Sequence, residues 1–132
     1  MAKLVGGWIF AWPRKPADDA ELQGGATLIL TEADKQKLGD GLMTVHIRVY
    51  DWDRWSADDL VQSDDTFQLG PANLNAGPNT FGINALVKHS KLQAADPSSQ
   101  DTAELYFRLR ATSATGVKTS WANSPNEHVK YK

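Results

Sequence analysis

Apolar and polar positions alternate most cleanly over Met43, Val45, Ile47 and Val49, with Thr44, His46, Arg48 and Tyr50 facing the other way. A period of two places every second side chain on one face, so this segment predicts a half-buried strand. The pattern returns over Leu105, Phe107, Leu109 and Ala111 against Tyr106, Arg108 and Arg110, and over Phe81, Ile83, Ala85 and Val87. Earlier in the chain, Trp8, Phe10 and Trp12 alternate with Ile9 and Ala11 until Pro13 and Pro16 end the strand. Residues 26–31, entered through Gly24-Gly25, form a short apolar run rich in β-formers, and 66–69 make a brief strand.

Between these runs lies turn chemistry: Gly70-Pro71, Ala76-Gly77-Pro78-Asn79 and residues 113–116. Residues 91–102, with Asp96-Pro97-Ser98-Ser99, read as a surface loop. A further strand is expected over 117–121 and an edge pairing over 127–131. Thr31-Glu32-Ala33-Asp34 offers a cap for one helical turn closed by Gly39, too short to pack as a helix. Short strands with almost no helical period predict an all-β fold, an antiparallel β-sandwich of about seven to eight strands in one domain over 1–132.

Composition narrows the classes. A chain of 132 residues buries roughly 68–70% of its unfolded surface, so its core needs neither metal nor disulfide. Fourteen Lys and Arg against sixteen Asp and Glu leave a formal charge of −2, which argues against nucleic acid as a partner. Without cysteine, disulfide scaffolds, thiol catalysis and cysteine zinc sites are excluded. No segment reaches the roughly 18 apolar residues of a membrane-spanning helix. The apolar stretch 4–12 is broken by Gly6-Gly7 and followed by Pro13-Arg14-Lys15-Pro16. The expectation is no signal peptide and a cytoplasmic site of synthesis.

Leu105-Tyr106-Phe107-Arg108-Leu109-Arg110-Ala111, followed by Gly116, Ser120 and Trp121, resembles the F strand, turn and G strand of fibronectin type III domains. Residues 8–16 are similar to that family's B strand, whose core tryptophan would be Trp12. Leu105 stands where the family usually has its corner tyrosine, and the middle of the chain is longer than the family pattern. The resemblance implies a fibronectin III/immunoglobulin-like binding or spacer module without catalysis. Through the frequency of such domains in bacteriophage particles, it also implies a virion role in capsid decoration or the tail.

Residues 49–59 are similar to the third calcium-binding loop of C2 domains. Matched residue by residue, Asp51, Asp53 and Asp59 would be calcium ligands, and Arg54 and Trp55 would sit at a membrane-facing tip; Asp58 joins the candidate ligands by position. Calcium takes six to eight hard oxygens, and carboxylates alternating along a loop converge on one ion. C2 sites also draw aspartates from an earlier loop, and the upstream pair Asp18-Asp19 lies closer than that family's spacing. Against calcium stands a solvated loop whose aspartates turn through their own backbone. An EF-hand is excluded because Ser56 and Gln62 occupy the positions that need glycine and glutamate.

Trp52 and Trp55 beside these carboxylates suit a carbohydrate platform or an interface anchor, or fold back over the end of the sandwich. Trp8, Trp12 and Trp121 are expected in the core. His46, His89 and His128 are too dispersed for a metal site, and Arg108 and Arg110 are expected to solubilise their strand. Neither a phosphate-binding glycine loop nor a G-x-S-x-G or H-E-x-x-H motif occurs. Asp58 and Asp59, adjacent in sequence, are expected to diverge rather than act as an acid–base pair. The expected function is a non-enzymatic module that binds a protein partner or a second copy of itself. Calcium-dependent attachment to a membrane or carbohydrate surface through residues 51–59 is the alternative.

Overall fold

A computed structural model describes residues 2–13, 20–52, 58–88, 90 and 102–130. In chain order the strands are β1 (Lys3–Pro13), β2 (Ala20–Leu30), β3 (Met43–Asp51), β4 (Asp59–Leu69), β5 (Gly77–Val87), β6 (Thr102–Ser113), β7 (Ala122–Asn123) and β8 (Glu127–Lys130). They form two antiparallel sheets, one ordered β1-β2-β5 and the other β4-β3-β6-β7, with β8 also paired to β6. The all-β sandwich expected from the alternating pattern is the fold observed.

Sheet pairing follows the predicted alternation. Met43, Val45, Ile47 and Val49 of β3 and Leu105, Phe107, Leu109 and Ala111 of β6 are all buried. They meet Leu22, Ala26 and Leu28 of β2 and Phe81, Ile83 and Val87 of β5 in one continuous core. Register keeps inward residues level: Val45 faces Ala111 and Val49 faces Phe107, while Leu22 faces Ala85 and Ala26 faces Phe81. Burying one large apolar side chain contributes about 1.5–3 kcal/mol, and Phe107 is 1% exposed.

Four departures from the sequence pattern are informative. The short helix α1 (Glu32–Leu38) does pack, because its last residue, Leu38, enters the core at 1% exposure. Thr31 and Asp34 form a reciprocal capping box, and Gly39, at φ 57°, ends the helix in a conformation that disfavours a Cβ. Strand β4 begins at Asp59 rather than near 66 and tolerates its polar residues because it is an edge strand with register shifts against β3. Strand β1, carrying Trp8 and Trp12, is the outer strand of its sheet, and β2 takes the middle. The side chains of Trp8 and Trp12, and the loop 91–101, lie outside the described residues.

The fourth departure concerns the chain after β6. Val117 and Thr119 are buried in alternation, but the phase slips by one before Ala122 and Ser124, which turn inward instead. Two hydroxyls make the slip workable. Thr119 Oγ1 accepts from Ala111 N at 3.0 Å, and Ser124 Oγ accepts from Phe107 N at 2.8 Å. They satisfy donors that a regular partner strand would otherwise take. Trp121 falls in the slipped segment, so it lies outside the core cluster, half-buried on the outer face of the sheet.

Candidate functional site

Two groups of polar and aromatic side chains stand on the outside of the β3–β6 pair. Cross-strand register builds both, because Tyr50 is opposite Tyr106, Arg48 opposite Arg108, and His46 opposite Arg110. Residues of even number on these strands point away from the core, and directly opposed side chains lie close enough to interact.

The first group is at the end of the β3–β4 hairpin, where the acidic loop was expected. Asp51 and Asp59 are cross-strand partners that close the loop. Asp51 belongs to β3 and is 8% exposed, so it is a strand-end residue rather than a loop residue. Trp52 is 38% exposed, with its backbone N–H donating to Glu104 O at 2.8 Å. The Tyr106 hydroxyl donates to Asp58 Oδ2 at 2.6 Å, a short charge-assisted bond. The Tyr106 ring stacks on Tyr50 with centroids 5.6 Å apart and planes 14° apart. Burial, then the bond to Asp58, holds the Tyr106 phenol well above its usual range.

Asp53, Arg54 and Trp55 lie outside the described residues, as does the tip 53–57 as a whole. The structure thus brings Asp51, Asp58 and Asp59 to one end of the hairpin without describing the full set of candidate calcium ligands. Among the described residues, no cluster of three or more His, Asp or Glu has the arrangement of a metal site. Asp58 is engaged by Tyr106, which leaves fewer of its lone pairs for a cation.

The second group is one row further along the strands. The guanidinium carbons of Arg48, Arg110 and Arg108 lie 4.5, 5.5 and 5.6 Å from the centre of the Trp121 ring, all within cation–π range. Arg48 faces Arg108 directly, a like-charge pairing that costs stability, and the Trp121 π-cloud offsets part of that cost. His46 Nε2 lies 2.9 Å from Thr112 Oγ1, which fixes the ring at the edge of the group. His46, Arg48, Arg110 and Trp121, over Ile47, enclose a cleft of about 140 Å³.

The sequence placed Arg48 on the polar side of its strand, Arg108 and Arg110 as solubilising residues, and Trp121 in the core. Their convergence had a readable signal, since Arg48, Arg108 and Arg110 occupy outward positions of the two cleanest strands. The missing piece was the phase slip that carries Trp121 onto the same face. His89 lies outside the described residues.

No protein-family model matches the sequence, and no curated protein matches it. Among solved structures, the chain is similar to the X-ray structure of the Northeast Structural Genomics Consortium target SoR45, at 11% identity and a TM-score of 0.36, over 99% of this chain and 84% of that one. It is also similar to Spo0M, a sporulation control protein from Bacillus subtilis, at 9% identity and a TM-score of 0.36, over 98% of this chain. The chain spans about half the length of Spo0M, 47%. Similarity this weak bears on neither the activity nor the partners of the protein.

Proposed function

We propose that the protein is a non-catalytic interaction module whose binding face is the outer side of β3 and β6. The observation that carries this reading is the composition of that face, where Tyr50, Tyr106, Trp121, Arg48, Arg108 and Arg110 stand together. Tyrosine, tryptophan and arginine are the residue types concentrated at interface centres, because each joins a broad apolar body to directional hydrogen bonding. The outer face of an antiparallel sheet ordinarily carries small polar or singly charged residues.

Strand order supports the fibronectin III-like reading. Lettered in chain order, the sheets read A-B-E and C′-C-F-G, an immunoglobulin-type division in which B pairs with E and C with F. The segment likened to the F strand lies in β6, whereas the segment likened to the B strand is β1, in the A position. A virion component, decorating a capsid or forming part of a tail, is the favoured setting. Size-exclusion chromatography with light scattering, on the protein alone and mixed with virion preparations, tests the module. Self-assembly or co-elution is expected, and a strict monomer without affinity for any preparation overturns it.

A calcium-dependent membrane or carbohydrate binder is the second reading, favoured by the pairing of Asp51 with Asp59 at the mouth of the loop. Thermal unfolding in EDTA, Ca²⁺ and Mg²⁺ tests it. Calcium at 100 times its dissociation constant stabilises the fold by about 2.7 kcal/mol, a rise of several degrees. A melting point indifferent to calcium removes this reading.

A further inference from the structure

The three guanidiniums around Trp121 are incompletely satisfied by that ring. A guanidinium carries five N–H donors in its plane, and a stacked π-face engages the charge without accepting those hydrogen bonds. Among the described residues, the Nε atoms of Arg108 and Arg110 are buried and meet no hydrogen-bond acceptor. A buried donor without a partner costs stability, more so when it belongs to a charged group, and such atoms in a folded protein call for an explanation. Beside Arg110 is the 140 Å³ cleft bounded by His46, Arg48 and Trp121. That is smaller than the roughly 300–1,000 Å³ that takes a drug-sized ligand, and it suits a single oxyanionic group.

We infer that this cleft is an oxyanion site that seats a carboxylate side chain of a protein partner, so that the partner presents an acidic segment to the outer face of β3 and β6. The inference deepens the interaction-module reading and rests on it. Arg48 and Arg110 border the cleft, and guanidinium forks match the two oxygens of a carboxylate. Trp121 walls the site and lowers its exposure to water, which strengthens each charged hydrogen bond made there. Neighbouring charge favours a discrete carboxylate over an extended polyanion. On the same outer face the Asp58 carboxylate lies against the Tyr106 hydroxyl. A nucleic acid or an anionic bilayer spread over this face would meet that carboxylate, whereas one acidic side chain entering the cleft would not.

The test is a titration of the ¹⁵N-labelled protein with N-acetylated hexaglutamate, with hexaglutamine and with inorganic phosphate, following the Nε–H signals of Arg48 and Arg110, which border the cleft. Hexaglutamate is expected to move both signals saturably, hexaglutamine to leave them in place, and phosphate to bind more weakly. Arg110→Gln is expected to weaken hexaglutamate binding roughly tenfold or more, while Asp65→Asn, on the other face of the sheet level with Ile47, leaves it unchanged. Arg48→Gln, at the other side of the cleft, should give the same loss and serves if Arg110→Gln lowers the melting point. Phosphate binding as tightly as hexaglutamate overturns the carboxylate assignment, and signals that no probe moves overturn the site. A silent titration in a protein that still self-assembles or co-elutes with a partner leaves the module reading intact; the converse result overturns that reading and not the site.

Discussion

The Tyr106 hydroxyl and the Asp58 carboxylate, 48 residues apart in sequence, meet at 2.6 Å and tie the acidic hairpin to the middle of its sheet. Tyr106→Phe is expected to cost about 1.5–2 kcal/mol in urea denaturation at neutral pH, the lower part of the range for a hydrogen bond to a charged group because Asp58 is half-exposed. The phenol is held above its usual value, so the folded state favours its neutral form. This contribution is complete below the ordinary tyrosine range near 10 and is lost as pH rises beyond it. Unfolding midpoints measured from pH 8 to 11 should therefore fall less steeply in Tyr106→Phe than in the parent protein.

The Arg48–Trp121 contact lends itself to a double-mutant cycle. Arg48→Ala and Trp121→Ala are expected to couple by about 0.5–2 kcal/mol, the range from exposed to desolvated cation–π pairs. Arg48→Ala alone should cost less than Trp121→Ala, since it also relieves the charge opposed to Arg108. Additive chemical-denaturation energies would show that the stacking contributes nothing to the fold.

At the start of α1, Thr31→Ala is expected to destabilise by about 1 kcal/mol through loss of the bond from Asp34 N to Thr31 Oγ1. The reciprocal bond from Thr31 N holds the Asp34 carboxyl below its usual value. Its contribution is present above the ordinary aspartate range and disappears as pH falls below it. Asp34→Asn should flatten that acid limb when the melting point is followed between pH 5 and 2.

Asn79 clamps the turn that enters β5. Its Oδ1 accepts from Asn75 N at 2.8 Å, and its Nδ2 donates to Asn75 O, Gly77 O and Leu28 O. Asn79→Ala is expected to cost about 2 kcal/mol, more than one average hydrogen bond because several backbone groups lose a partner together. Asn79→Asp, which replaces the donating amide with an acceptor, should not recover the loss in thermal unfolding.

The core strands were legible because their alternation is written in apolar residues that tolerate one orientation. Met43 to Val49 and Leu105 to Ala111 point inward where a period of two places them. Strand β2 extends back to Ala20, past Gly24-Gly25, a dipeptide that reads locally as a turn yet is buried here, with Gly25 opposite Gly82. Half of β4 escaped notice because an edge strand needs little β-propensity once β3 supplies its partner. The Trp121 site was invisible for a different reason: whether a tryptophan enters the core or crosses to the outer face turns on one residue of phase. Thr119 Oγ1 and Ser124 Oγ set that phase through contacts with β6, and local sequence does not encode them.

The order of strands within the sheets bears on how the chain reaches this state. Strands β1 with β2, and β3 with β4, are neighbours in sequence and can zip as hairpins. Each hairpin then waits for a remote partner, β5 for the first and β6 for the second, with pairs such as Thr27 and Thr80 separated by 53 residues. Such closures place the chain among the slower folders, with times of milliseconds to seconds. Until they occur, the inward faces of β2 and β3 are uncovered, so nascent chains ending before β6 expose the apolar rows on which a chaperone, or another unfinished copy, would settle.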